Sequence, residues 1–190
     1  MTSKLLIREQ DGTPAQICFR DSTDFSPTAA NDLRVGSPTL VQWLFESVTN
    51  NSYRQSTKVD LGAARAEKYK VRAALEFGAT PTAGARVNFY WAPSGSSTAG
   101  TGNAGAVSGA DSAYTGYSSN GDASVKQLDF IGSFVCTAQA TGTIQVAEVG
   151  EFSPSERYGS LVVKNASGAT MHTDSAEHHV VFDPIVPEGQ

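Results

Sequence analysis

The sequence predicts an all-β fold, an antiparallel β-sandwich of jelly-roll type with about eight strands. Several segments alternate apolar and polar residues with a period of two, which is typical of half-buried strands. Turn-forming Gly, Pro and Asn residues separate these segments, many of them at hairpin length. No crossover helices are predicted between them, which excludes a parallel α/β sheet. We divide the chain into an extended N-terminal arm (1–35) and a sandwich domain (36–190) that carries a long loop insertion (93–126).

The first elements have the weakest periodicity. The segment PAQICFRD (14–21) reads as a short strand or as part of the extended arm. TLVQWLFESVTN (39–50) predicts a strand, with SYRQSTKVDLG (52–62) as its neighbour. A short helix is the alternative for 39–50, because its apolar residues also fit one helical face.

The clearest pair of strands lies in the middle of the chain. KYKVRAALEF (68–77) alternates strictly, and one face carries the residues Tyr69, Val71, Ala73, Leu75 and Phe77. RVNFYWAP (86–93) places Val87, Phe89 and Trp91 on one face and Tyr90 on the other. The turn segment GATPTAGA between them predicts an antiparallel hairpin.

Four further strands follow the long loop. KQLDFIGSFVCTAQ (126–139) places Leu128, Phe130, Phe134 and Cys136 on one face, with Gly132 as a candidate bulge. GTIQVAEVG, RYGSLVVKN and EHHVVFDPI give the remaining three strands. Pro184 indicates that the last of these is an edge strand or ends there.

The loop at 93–126 is poor in apolar side chains, since fifteen of its 34 residues are Gly or Ser. It is either a flexible surface insertion or a loop that a neighbouring protein chain orders, with Tyr114 and Tyr117 as interface anchors. Its string GTGNAG (100–105) matches G-x-G-x-x-G, but no βαβ unit surrounds it. The string therefore does not predict a nucleotide site.

Charge and hydropathy exclude several classes of function. The net charge is -5 and no basic patch is present, so we expect no nucleic-acid partner. No stretch approaches the roughly 20 apolar residues of a membrane-spanning helix, and we expect no membrane partner. The N-terminus lacks the apolar run of a secretory signal, so we expect synthesis in the cytoplasm.

No motif in the chain predicts chemistry. Cys18 and Cys136 lie in apolar surroundings and read as buried thiols, and two distant cysteines cannot form a zinc site. The motifs of serine hydrolases, zincins, EF-hands and P-loops are missing. We predict no enzymatic activity, no catalytic residue, no metal and no cofactor.

All three histidines fall in MHTDSAEHHVVF (171–182). Strand alternation places His178 and His179 on opposite faces, so these two cannot ligate one ion together. A metal site would need His172 to fold back across the turn. We favour a structural or interface role for this segment. One form of that role has His172 or His178 titrate near neutral pH and tune an interface.

Residues 40–190 resemble structural proteins of tailed bacteriophages. The resemblance lies in the strings FIGSFVCTAQATGTIQVAEVGEFSPSERYGSLVVKNASG, HTDSAEHHVVFDPIVPE, YWAPSGSSTAGTGNAG and KVDLG. It implies a virion component, and phage β-sandwiches of this size often decorate (cement) the capsid lattice, commonly as trimers. The expected partners are the major capsid protein or another virion protein, and further copies of this chain. Phe25, in the predicted arm, joins the interface candidates.

A second class of function stays open, in which the chain is a carbohydrate-binding module or a tail or neck adaptor that takes part in host attachment. Sugar platforms need exposed aromatic side chains. Trp91 shares a face with Val87 and Phe89 and is expected in the core. Tyr90, on the opposite face, is the better candidate.

Overall fold

A computed structural model describes residues 5–6, 15–63, 65–185 and 188–189. These residues form mostly strands, as predicted. The strands are β1 Leu5–Leu6, β2 Ile17–Arg20, β3 Thr39–Gln42, β4 Tyr53–Gln55, β5 Val59–Asp60, β6 Lys68–Leu75, β7 Arg86–Ser94, β8 Ser112–Ala113, β9 Asp129–Val135, β10 Gln145–Phe152, β11 Tyr158–Ala166, β12 His179–Ile185 and β13 Glu188–Gly189. Among the described residues, the helical elements are the α-helix Gly121–Ser124 and the 3-10 turns Ala104–Ala106, Tyr117–Ser119 and Val125–Gln127.

The strands build two main sheets. The five-stranded sheet has the order β10-β6-β12-β2-β3, and the six-stranded sheet has the order β8-β4-β11-β7-β9, with β5 also paired to β11. Every pairing is antiparallel except β2 with β3. The parallel pair is feasible because residues 21–38 form the long connection that such a pair needs. A separate two-stranded sheet pairs β1 with β13.

The two main sheets share one apolar core, as the strands of a β-sandwich do. The alternating residues of 68–77 and 86–93 are buried in it as predicted, with Tyr69, Phe89 and Trp91 fully enclosed. Phe182 of β12 packs against Phe152 and Trp91, with ring centroids 5.0 Å and 5.8 Å away. Residues 39–42 form a strand and not the alternative helix.

The predicted hairpin of 68–77 and 86–93 is wrong. β6 belongs to the five-stranded sheet and β7 to the six-stranded sheet, and the intervening turn crosses from one sheet to the other. Both strands bury their apolar faces in the same core, so they face each other and do not pair. The segment 52–62 also lies in the opposite sheet from β3.

Gly132 lies at a bulge, as predicted. The register of β9 on β7 shifts between Phe89 and Tyr90, so that Ile131 is an extra residue on β9. A Cβ atom on Gly132 would lie 2.1 Å from the carbonyl oxygen of Val149 in β10. Only glycine therefore lets the edge strands of the two sheets meet at this point.

Part of the segment assigned to the N-terminal arm lies in the five-stranded sheet. Ile17–Arg20 forms β2 between β12 and β3, which is the short-strand alternative for this stretch. Phe19 is buried in the core, 4.7 Å from Phe182. Apart from 5–6, residues 1–14 of the predicted arm lie outside the described residues.

Candidate binding surfaces

The outer face of the five-stranded sheet is covered by the segment 21–38. Leu33 packs on Cys18, Ala74 and Val181, which point outward from the sheet. The Leu33 carbonyl accepts hydrogen bonds from the side chains of Gln16 (3.0 Å) and Arg72 (3.2 Å). This face is therefore closed by the chain itself.

Phe25 holds the same segment in place. Its ring meets the His179 ring edge-on at 5.1 Å. The guanidinium carbons of Arg34 and Arg20 lie 4.8 Å and 5.4 Å from its centroid. Phe25 is half-buried by these contacts, so its main packing partners belong to its own chain.

The long loop folds onto the outer face of the six-stranded sheet. Residues Val107, Tyr114, Val125 and Leu128 form a second small core with Tyr53, Ala92 and Val162 of the sheet. Tyr114 is 3% exposed and its hydroxyl donates to the Gly105 carbonyl at 2.7 Å. Tyr114 thus anchors the loop to its own sheet and has almost no surface left for a neighbouring chain. Tyr117 is 53% exposed and remains at the surface.

Two charged groups fix the rest of the loop. Asp111 accepts hydrogen bonds from Arg54 Nε at 2.7 Å and from Gln42 Nε2 at 3.1 Å. The Lys58 ammonium donates to Ser94 Oγ and to the carbonyl oxygens of residues 96, 98 and 101, all within 3.0 Å. The GTGNAG string thus contributes the Thr101 carbonyl oxygen to a turn whose oxygens surround the Lys58 ammonium.

The adjacent histidines point to opposite faces, as predicted. The His178 ring meets the Phe45 ring edge-on at 6.2 Å, and its Nδ1 accepts from the Glu76 amide at 3.3 Å. His179 Nε2 accepts from the Leu33 amide at 3.0 Å, and its Nδ1 lies 2.8 Å from the Glu177 carbonyl oxygen. Both rings are buried within the chain.

The buried His178 and His179 rings do not suit a contact with a neighbour that changes with pH. Burial lowers the pKa of both histidines, that of His178 to about 4. His178 is therefore neutral near pH 7 and inaccessible to a neighbour, contrary to the prediction. His172 remains partly exposed, with its Nδ1 3.5 Å from Glu76 Oε1. Burial raises the pKa of that Glu76 carboxyl.

The part of the chain that the structure describes contains no group of three or more side chains placed to hold a metal ion. Both cysteines are free and buried. Burial raises the pKa of Cys18 to about 12 and that of Cys136 to about 11. No helix among the described residues has the length and apolar character to cross a membrane.

Exposed apolar residues lie along the line where β9 meets β10. Val135 is 53% exposed and Val146 is 47% exposed. Val135 belongs to β9 and Val146 to β10, and these two strands approach each other closely at Gly132 and Val149. The Gln145 side chain bonds both main-chain groups of Thr137 and closes the turn between the strands. We call the exposed pair Val135 and Val146 the edge patch.

A shallow depression lies on the outer face of the six-stranded sheet, beside the folded loop. Its volume is about 460 Å³, and its lining residues include Asn88, Tyr90, Phe130 and Lys164. The rings of Tyr90 and Phe130 lie 5.4 Å apart at 59°. We call this aromatic pair with its polar rim the shelf.

Sequence reasoning found Tyr90 but missed Phe130. Alternation from Phe134 and Cys136 placed Phe130 in the core, yet it is 58% exposed. The bulge inserts Ile131 and reverses the alternation on its N-terminal side, so Ile131 is buried and Phe130 points outward. Gly132 was the available signal, because a bulge there implies this reversal.

No protein-family model matches the chain, and a search of the curated proteins finds no match.

Proposed function

We propose that this chain is a structural protein of a tailed-bacteriophage virion, a capsid decoration (cement) protein that binds the capsid lattice and self-associates as a trimer. A structural and not an enzymatic role is part of this proposal, as are the virion location and a major capsid or other virion protein as the partner. The jelly-roll connectivity belongs to it as well, together with a role in attachment for the part of the predicted arm (1–35) that precedes β2. A position at the tail or neck is the alternative within the same class.

The edge patch supports the proposal most directly. Val135 and Val146 are apolar, exposed and placed on neighbouring edge strands, which is the kind of surface that a protein partner buries. The outer faces of the sheets favour the same interpretation, because the chain's own segments cover much of them. The junction of β9 and β10 is left as a surface for a neighbour.

The resemblance to phage structural proteins supplies the kind of partner. Contacts of modest size suffice on a repeating lattice, because many copies held together bind with an avidity that a single contact lacks. The acidic chain, with a net charge of -5, needs no nucleic acid in this role.

The mass of the purified chain in solution tests self-association. Light scattering should give three times the 20.0 kDa chain mass, about 60 kDa, for the wild type. The double variant Val135→Asp, Val146→Asp should give the mass of one chain, because two buried charges oppose the contact. Val35→Asp is the control, since Val35 is an apolar residue that is 68% exposed and belongs to neither β9 nor β10. A monomeric wild type, or a double variant that still forms trimers, would overturn the proposed assembly.

Attachment to particles tests the arm. Deleting residues 1–14 leaves β2 in place, so the sandwich should fold while attachment to the phage particle is lost. Co-sedimentation with particles measures attachment, and circular dichroism checks the fold. If the truncated chain sediments with particles as the wild type does, the arm has no role in attachment.

A further inference from the structure

We propose that the shelf binds an oligosaccharide that carries an acidic group. This inference is independent of the assembly described above, because all of its residues lie on one chain and none of them belongs to the edge patch.

The aromatic part of the shelf suits the apolar face of a sugar ring. Phe130 is 58% exposed although it is large and apolar, and Tyr90 stands against it at 59°. Two rings at this angle form a floor and a wall. A pyranose ring can place its C–H groups on the floor while its edge contacts the wall. The volume of about 460 Å³ is within the range of small-molecule sites.

The polar rim offers groups that no other described residue uses. The Asn88 carbonyl oxygen accepts from Ser133 Oγ at 2.7 Å, which leaves the Asn88 amide hydrogens free to donate outward. The Tyr90 hydroxyl has no hydrogen-bond partner among the described residues. Free donors and acceptors beside an aromatic floor match the alternating hydroxyl and C–H faces of a sugar better than they match an apolar protein surface.

Charge selects the acidic class of saccharide. The Lys164 ammonium is 2.5 Å from Asp122 Oδ1 and 5.0 Å from the centroid of Tyr53. The Tyr53 hydroxyl also donates to Asp122, and this network holds one wall of the depression in place. Lys126 lines the same depression and is exposed; it makes no salt bridge among the described residues, although its charge helps to lower the pKa of Asp122. Its charge is the one left to meet a carboxylate of the ligand.

A glycan array tests the site. The array carries bacterial surface polysaccharides, both neutral and acidic, and the chain is displayed in many copies on beads so that weak binding is detected. We expect the wild type to bind acidic members. Phe130→Ala should weaken that binding about tenfold by removing the aromatic floor. Lys126→Met should remove the preference for acidic over neutral members.

Tyr117→Ala is the matched control, because Tyr117 is an exposed aromatic residue that does not line the depression. It should bind as the wild type does. Thermal denaturation of each variant shows that the fold is intact, as expected for exposed positions. No binding to any glycan, or Phe130→Ala binding as well as the wild type, would overturn the proposal. A wild type that binds only neutral glycans would overturn the assignment of Lys126. Glycan binding by a monomeric chain would leave this site standing while the assembly proposal failed.

Discussion

Replacing Lys58 with Met should release the first part of the long loop. The substitution keeps an unbranched apolar stem of similar length but removes the ammonium and its hydrogen bonds. Four oxygens lose a charged donor: Ser94 Oγ at 2.8 Å, and the carbonyl oxygens of Ser96, Thr98 and Thr101 at 3.0, 2.6 and 2.9 Å. Burial lowers the pKa of the Lys58 amine, so the ammonium depends on these oxygens for its stabilisation.

The size of the loss in the free energy of unfolding depends on which of the four oxygens can form a hydrogen bond with water instead. The bonds to Thr98 and Thr101 are exposed, so water can replace the lysine there. The bonds to Ser94 and Ser96 are partly buried. A hydrogen bond from a charged donor contributes about 1.5–3 kcal/mol. Two such bonds at the lower value give a loss of about 3 kcal/mol in the free energy of unfolding, or about 6–12 °C in Tm for a domain of this size.

Thermal denaturation followed by circular dichroism measures the loss, and amide hydrogen exchange locates it. We expect faster exchange in residues 95–110 of Lys58→Met, because this part of the loop is no longer tied to β5 and its neighbours. Lys126→Met is the control, as Lys126 is exposed and has no such bonds. An unchanged Tm together with unchanged exchange in 95–110 would show that the loop does not depend on the lysine.

Three further predictions concern pH, packing and reactivity. Burial lowers the pKa of His178 to about 4 from its ordinary 6.5, so the unfolded chain takes up this proton first. The contribution of neutral His178 to stability should therefore be full above pH 6.5 and fall by about 1.4 kcal/mol per pH unit towards pH 4. Urea denaturation should show a smaller loss of stability between pH 7 and pH 5 for His178→Gln than for the wild type. An equal loss in both proteins would contradict this assignment. Gly132→Ala should lose more than about 2 kcal/mol by urea denaturation, because its Cβ would lie 2.1 Å from a main-chain oxygen. Gly95→Ala, where a Cβ meets nothing within 4 Å, should be close to neutral, and equal effects of the two substitutions would refute the packing argument. Cys18 and Cys136 should resist a maleimide at pH 8 in the folded protein, since burial raises the pKa of both thiols. Both should react once the chain is unfolded in about 6 M urea. Rapid labelling of the native chain would show that the thiols are accessible.

Periodicity predicted which faces of β6 and β7 are buried, but it could not predict how these strands pair. The alternating apolar residues of 69–77 and of 87–91 face the core, as their pattern indicates. The same alternation is expected whether two strands are neighbours in one sheet or face each other across the core. The choice depends on contacts with distant segments, such as the pairing of β6 with β10 and β12.

Amino-acid composition could not predict that the long loop is ordered. A Gly- and Ser-rich segment cannot bury enough apolar surface to order itself. Here the ordering groups come from elsewhere in the chain, with Lys58 and Arg54 bound to loop oxygens and Tyr53 packed against Tyr114. These residues precede the loop by tens of positions, and no local pattern connects them with it.

The shelf could be predicted only in part. Tyr90 follows from alternation, because its neighbours Phe89 and Trp91 are in the core. Phe130 required the bulge to be applied to the residues before it. Lys164 comes from β11, and its approach to Asp122 depends on the folded loop.

Electron cryomicroscopy of phage particles is the sharpest test of the proposed virion role. We expect many copies of this chain on the particle, seen as repeating density that fits the two-sheet domain, with Val135 and Val146 at a protein contact. Particles without this density, or copies whose β9–β10 edge faces solvent throughout, would contradict it.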